Sequence, residues 1–194
     1  MSTAESVSQA PVLSTAETMT LEAFADTIVP GAKRYPEDRA IAGVSEDGGS
    51  VESGAMELLA SDAGGLSAWL GGLAGMLNAH AANYAGVEGI VLDQSVPAFV
   101  ALEYEQRAGL ILLLTHADHP ERQGWVNLVV FSNMAFDTAA HLHTVDALAQ
   151  GHPGLTILGF APPNADGLWR FPDYSYRREL ASRHPDTTSK GNPK

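Results

Sequence analysis

The spacing of apolar residues constrains this chain more than any other feature of its sequence. In residues 20–29, 65–85, 95–116 and 124–148, apolar side chains recur three and four positions apart. This spacing places side chains on one face of an α-helix, and that face has to be buried against another element. A shorter stretch, residues 51–61, has the same character. The sequence therefore predicts a mainly α fold, with about five helices in a single compact domain.

Changes in composition divide the chain into three parts. Residues 1–17 are rich in Ser, Thr, Ala and Glu and show little periodicity, so they predict a flexible N-terminal arm. Residues 18–150 contain the helical stretches and form the predicted domain. Residues 151–194 contain six of the eleven prolines. Because proline interrupts helices, this segment predicts an extended C-terminal arm rich in Pro, Gly and aromatic residues.

Local signals refine the first of these helices. Thr20 is suited to cap its N-terminus, and Pro30 followed by glycine stops it. Residues 31–50 then mix charges with proline and glycine and predict an irregular surface loop. Loops of this length are uncommon inside a domain, so its length suggests a role in function.

Three glycines distinguish the stretch 65–85. Gly71, Gly72 and Gly75 lie inside the helical pattern, where each costs up to ~1 kcal/mol relative to alanine. Such glycines are expected where another backbone approaches closely. This stretch therefore predicts a core helix with one tightly packed face.

Charge and composition exclude several classes of protein. The 194 residues contain no cysteine, which excludes disulfides, thiolate zinc sites, iron–sulfur clusters and a cysteine nucleophile. The 23 acidic and 11 basic residues give a net charge of −12, which argues against binding to nucleic acid. No apolar run approaches the ~20 residues that a membrane span needs. The first twenty residues hold no Lys or Arg and no apolar leader, so the predicted location is cytoplasmic.

The histidines raise the possibility of a metal site. His116 and His119 are three residues apart, but the helix has to break between them and Pro120. His141 and His143 are two residues apart, which places them on different faces of a helix. We therefore predict no catalytic, cofactor or metal-ligating residues in this chain. A stand-alone helical enzyme that uses His and carboxylates with a metal remains an alternative.

The C-terminal arm contains the strongest candidate for a contact surface. Residues 169–178 combine four aromatic residues with three arginines and one aspartate, a local charge of +2 on an acidic chain. Trp, Tyr and Arg dominate the binding energy of protein interfaces. The predicted partner-binding residues are Trp169, Arg170, Phe171, Tyr174, Tyr176 and Arg177.

Several segments resemble the small subunit, subunit 3, of gluconate 2-dehydrogenase-type complexes. Residues 20–31, TLEAFADTIVPG, resemble the helix that opens this family. The pattern of Phe99, Leu102 and Arg107 is similar to a later helix of the family, and residues 158–160, LGF, are similar to its Leu-Gly-aromatic turn. The ending, residues 167–194, resembles an actinobacterial branch of these proteins.

The resemblance implies a function that the residues alone do not. It implies a non-catalytic accessory subunit of a flavin-dependent oxidoreductase of the glucose–methanol–choline type, which acts on an alcohol, a sugar or a secondary metabolite. FAD is then expected on the large partner subunit, with no cofactor on this chain. A homo-oligomeric structural protein, with the C-terminal arm exchanged between copies, is a further alternative.

Overall fold

The computed structural model describes residues 13–166 and Asp186. The chain divides into two units between Phe160 and Ala161, and the description below concerns the first of them. In its described residues this unit contains seven α-helices and no β-strand. The prediction of a mainly α, compact domain is confirmed. None of the helices in this part of the chain has the length and apolar content needed to cross a membrane.

The helices follow one another in the order α1 to α7. Their bounds are α1 Thr15–Ile28, α2 Ala55–Ala60, α3 Leu70–Glu88, α4 Tyr104–Leu114, α5 Arg122–Asp137, α6 Thr144–Ala149 and α7 Pro153–Ile157. Two short 3₁₀ turns, Asp62–Gly64 and Ser67–Trp69, precede α3.

Helix α1 lies at the centre of the core, where it contacts α2, α3, α4 and α5. It begins earlier than predicted, so residues 15–17 belong to the helix and not to a flexible arm. Ser14 and Glu17 form a capping box in which each side chain accepts the other's backbone N–H. The predicted cap, Thr20, lies inside the helix and donates its hydroxyl to the carbonyl of Ala16.

Helix α4 is shorter than the predicted stretch 95–116. It begins at Tyr104, because Glu103 and Gln106 form a capping box there. The segment before it consists of turns, and Asn78 of α3 accepts the backbone N–H of Phe99. Phe99 is completely buried although it lies in a turn, so its apolar side chain did not indicate a helix.

The long helix predicted over residues 124–148 is in fact two helices. Helix α5 ends at Asp137, and Ala139 then adopts a positive φ of 48°, which interrupts the helix. This turn buries Ala139 against Ala147 and Leu155 in a small separate core. Residues 153–157, predicted to belong to the extended arm, form α7 beside it.

The irregular loop after α1 is held by buried polar groups. The carboxylate of Asp26 accepts the backbone N–H groups of Gly31 at 3.0 Å and Ala42 at 2.8 Å. The guanidinium of Arg107, only 4% exposed, donates to four backbone carbonyls, those of Arg39, Ala40, Val100 and Leu102. The loop thus has a structural use, because these two side chains satisfy backbone groups that have no partner in a helix.

Candidate functional site

Helix α3 has one buried face and one exposed face. The buried face packs Leu70, Ala74, Leu77, Ala81 and Ala85 into the core. The exposed face carries five small residues at alternating steps of three and four, which we call the small-residue face: Gly72, Gly75, Ala79, Ala82 and Gly86.

Among the described residues, none lies against the glycines of the small-residue face. A Cβ atom built on Gly72, Gly75 or Gly86 would meet nothing within 4 Å. Gly71 differs, because its Cβ would lie 2.8 Å from a carboxylate oxygen of Glu17. The expectation that another backbone approaches Gly72 and Gly75 closely is therefore not met among the described residues. These two glycines face outward.

Exposed apolar side chains also occur at the end of α3 and on α4. Val87 at the end of α3 is 76% exposed, and Leu113 of α4 is 57% exposed. Together with Tyr84 and Leu110 they line a groove of about 230 Å³ between the two helices. The groove also contains His80 and His119.

Three potential metal ligands converge beside this groove. His80 lies in the middle of α3, while His119 and Glu121 flank Pro120 in the connection between α4 and α5. One ligand atom from each residue lies within 4.8 Å of the other two. The closest pair is His80 Nε2 and Glu121 Oε2, which are 2.8 Å apart. We call these three side chains the His–His–Glu cluster.

The cluster rests on a buried tryptophan. The indole N–H of Trp125, which is fully buried, donates to Glu121 Oε2 at 3.3 Å. The same indole ring packs edge-on against the imidazole of His80, with 5.7 Å between ring centroids. The hydrogen bond with His80, reinforced by that from Trp125, holds the pKa of the Glu121 carboxyl below its ordinary value despite slight burial.

The position of His119 is set locally. The backbone N–H of Glu121 donates to His119 Nδ1 at 3.2 Å, and the rings of His119 and His80 meet edge-on at 5.6 Å. The arrangement can hold a proton between His80 and Glu121, or it can supply two imidazoles and a carboxylate to a cation.

Comparison with known proteins identifies a family. Residues 15–194 match the model of a family of unknown function, DUF5987. The chain belongs to the DUF5987 family. Its similarity covers almost the whole chain, and the family description assigns no activity. No curated protein and no solved structure matches it.

The other candidate histidines of this DUF5987 chain are not part of the cluster. His116 is 67% exposed in its side chain and lies 3.6 Å from Asp118. His141 packs over Gly54 at the start of α2, where burial lowers its pKa, and His143 is exposed beside α6. Of these four candidates, His119 is the one that belongs to the His–His–Glu cluster.

Sequence reasoning missed His80 and Glu121 as partners. They are 41 residues apart, and no local motif connects a position inside α3 to the start of α5. The available signal was the sequence His-Pro-Glu at 119–121, in which two ligand types flank a residue that ends a helix.

The predicted partner-binding residues of this DUF5987 chain lie outside the described part of the structure. They are Trp169, Arg170, Phe171, Tyr174, Tyr176 and Arg177.

A larger cavity, of about 430 Å³, lies between α1, α2 and the loop that follows α1. Asp26 and Arg34 are among the charged residues that line it. Asp26 is engaged by the backbone of the loop, and Arg34 pairs with Glu22 at 2.7 Å and with Asp38 at 2.6 Å. These charges serve the fold, so the cavity is a weaker candidate than the groove.

Proposed function

We propose that this chain is a non-catalytic accessory subunit of a flavin-dependent oxidoreductase of the glucose–methanol–choline type, located in the cytoplasm. The substrate of the complex is an alcohol, a sugar or a secondary metabolite, and FAD is carried by the large subunit. The observation that carries this proposal is the small-residue face of α3. The choice of partner rests on the resemblance described for residues 20–31, 99–107 and 158–160.

The composition of the exposed surface of α3 supports the proposal that a partner binds there. The helix has 19 residues, and Glu88 at its end is the only charged one. Exposed helix surfaces are normally rich in Lys, Glu and Arg, and charged residues make up 18% of this chain. An exposed helix face without charge is expected where a second surface covers it.

The spacing of the small residues indicates what kind of surface this is. Steps of three and four residues form the seam along which two helices pack side by side. Glycine and alanine on such a seam allow the two backbones to approach closely. We infer that a helix of the large subunit lies along Gly72, Gly75, Ala79, Ala82 and Gly86. The apolar groove formed by Tyr84, Val87, Leu110 and Leu113 extends this contact.

The residues that carry the resemblance and the residues of the small-residue face have different roles. Phe99, Leu102 and Arg107, which carry part of the resemblance, are buried and maintain the fold. The small-residue face is exposed and available for binding. In the proposed complex, the chain covers apolar surface of the large subunit and stabilises its flavin-loaded form. By their composition, Trp169 and its neighbours in residues 169–178 supply a second contact.

The test is co-expression with the glucose–methanol–choline flavoprotein encoded nearest to its gene. We expect both chains to co-elute in size-exclusion chromatography, with flavin absorbance in the same peak. Ala79→Arg places a long charged side chain on the small-residue face and should weaken binding by at least about tenfold, because a buried unpaired charge is costly. Ala60→Arg, at an exposed alanine of α2, is the matched control and should bind like wild type.

Two outcomes would contradict the proposal. One is a complex with equal affinity for the Ala79→Arg and wild-type chains. The other is a chain that forms a homodimer alone, which Ala79→Arg converts to a monomer in light scattering. That second result would favour the homo-oligomeric alternative, and deletion of residues 165–194 would then show whether the arm is exchanged.

A further inference from the structure

We propose that His80, His119 and Glu121 bind one divalent transition metal ion, with zinc as the favoured ion. This site goes beyond the accessory role and does not depend on it. Imidazole nitrogen and carboxylate oxygen are ligands that zinc accepts in proteins, and two histidines with one acid form a common set of three.

The distances within the cluster fit a single ion. In a tetrahedral zinc site with bonds of 2.0–2.1 Å, neighbouring ligand atoms lie about 3.3 Å apart. His80 Nε2 and Glu121 Oε2 are 2.8 Å apart, so an ion that replaces their shared proton separates them by a few tenths of an ångström. The ligand atoms of all three residues lie within 4.8 Å of one another, so small side-chain rotations complete the set.

The surroundings orient the carboxylate. Metal ligands are usually fixed by a second hydrogen bond, which raises their affinity for the ion. Trp125 supplies such a bond to Glu121 Oε2 from a fully buried position. Its ring also limits the rotation of His80, because the two rings pack edge-on. The indole can therefore hold two of the three ligands in place before an ion arrives.

Ion binding changes one hydrogen bond of His119. The backbone N–H of Glu121 donates to His119 Nδ1 in the structure. Coordination through Nε2 would place the ring proton on Nδ1 and end this contact, and coordination through Nδ1 would replace the N–H with the ion. In both cases one hydrogen bond is exchanged for a metal–nitrogen bond.

The site keeps an open position. The side chains of His80 and Glu121 are 30% and 40% exposed, so water has access to the cluster. Three protein ligands with a water or an exchangeable ligand in the fourth position are the usual arrangement of an accessible zinc ion. His80 and His119 also line the 230 Å³ groove between α3 and α4.

The experiment is a competition titration of Zn²⁺ between a chelating dye and the metal-free, full-length chain. We expect one site per chain. His80→Ala and His119→Ala should each weaken Zn²⁺ by at least about 10- to 100-fold, since even the loss of a supporting hydrogen bond has an effect of that size. His116→Ala is the matched control, because His116 is an exposed histidine three residues from His119.

A second measurement reports on the geometry of the site. Co²⁺ in place of zinc should give the visible absorption of a four-coordinate ion in the wild type and in His116→Ala. This absorption should be lost in His80→Ala. Glu121→Gln keeps the size of the side chain and an oxygen that accepts from Trp125, so it tests the ligand set even if His80→Ala does not fold.

The proposal is overturned if Zn²⁺ affinity is equal in the wild type, His80→Ala and Glu121→Gln. It is also overturned if His116→Ala weakens Zn²⁺ as much as His119→Ala does, because binding then belongs to exposed histidines in general. Both measurements use the chain alone, so they are independent of whether a flavoprotein binds.

Discussion

Two polar regions of this molecule use charge in opposite ways. The buried side chains of Asp26 and Arg107 form hydrogen bonds with the backbone. Asp26 accepts from two N–H groups, and Arg107 donates to four carbonyls. In the His–His–Glu cluster, His80 and Glu121 instead bond to each other at the surface. Charge that satisfies the backbone holds the fold. The His80–Glu121 pair is partly exposed to solvent and remains accessible to a ligand.

The exposed surface of α3 resembles the His–His–Glu cluster in that its residues do not stabilise the fold. Its glycines lower helix stability, and nothing within the described part of the chain compensates at Gly72 or Gly75. A helix selected only for stability would carry alanine or charged residues there. Substitutions at Asp26 and Arg107 are thus expected to lower the stability of the chain. Substitutions at the glycines of α3 are expected to change binding, while stability stays equal or increases.

The largest effect is expected for Arg107→Met. Its loss leaves three buried carbonyls and one partly buried carbonyl without their donor, which should lower the free energy of unfolding by about 3–5 kcal/mol. Urea unfolding followed by circular dichroism measures this. Arg39→Met is the control, since the Arg39–Asp93 ion pair is exposed and should contribute under about 1 kcal/mol. Equal losses in the two variants would contradict the assigned role of Arg107.

Asp26→Asn should have the next largest effect, a loss of about 1–3 kcal/mol. An amide offers one acceptor oxygen, so its NH₂ group would face the backbone N–H of either Gly31 or Ala42. The same urea titration measures the loss. Asp93→Asn, at an exposed acid, is the control.

The effect of Asp26→Asn should also depend on pH. Burial raises the pKa of Asp26, although hydrogen bonds from Ala42 and Gly31 oppose the increase. Between the ordinary value of 3.8 and the raised pKa, the folded wild type retains a proton that the unfolded chain has released. The stability of the wild type therefore falls through this window as pH rises. The difference from Asp26→Asn should be largest at the acidic end and constant above the window, and a difference that grows with pH would contradict the raised pKa.

Gly75→Ala should change stability in the other direction. A Cβ atom at this position meets no atom of the described residues within 4 Å, so the variant should gain about 0.5–1 kcal/mol from helix propensity. Gly71→Ala is the comparison, because its Cβ would approach Glu17 and should gain less. Thermal unfolding of the isolated chain measures both. In the proposed complex, Gly75→Ala should weaken binding, and a variant that is less stable alone would show that this face is covered within the chain.

The extent to which the sequence predicted this structure depends on the range of the interactions. The helix α3 followed from local spacing, and Leu70 and Leu77 of the apolar pattern lie on its buried face, but the alanines that complete this face, Ala74, Ala81 and Ala85, were not predicted. The break at Ala139 could not be predicted from local spacing. It depends on burial of Ala139 against Leu155, and no Gly or Pro marks it in the sequence. The His–His–Glu cluster was missed for the same reason, since His80 meets Glu121 only after α3 and α5 have packed.

Glu121→Gln should have the smallest effect on stability, under about 0.5 kcal/mol. It tests most directly whether the His–His–Glu cluster differs from the region of Asp26 and Arg107. Partly exposed pairs of this kind contribute little, and glutamine keeps an oxygen that can accept from both Trp125 and His80. Glu105→Gln, at an exposed acid of α4, controls for the loss of one negative charge. Urea unfolding should therefore give the same midpoint for both variants and the wild type, while Zn²⁺ affinity should fall in Glu121→Gln alone. A loss of 2 kcal/mol or more in Glu121→Gln would contradict the comparison, because Glu121 would then act like Asp26 and hold the fold.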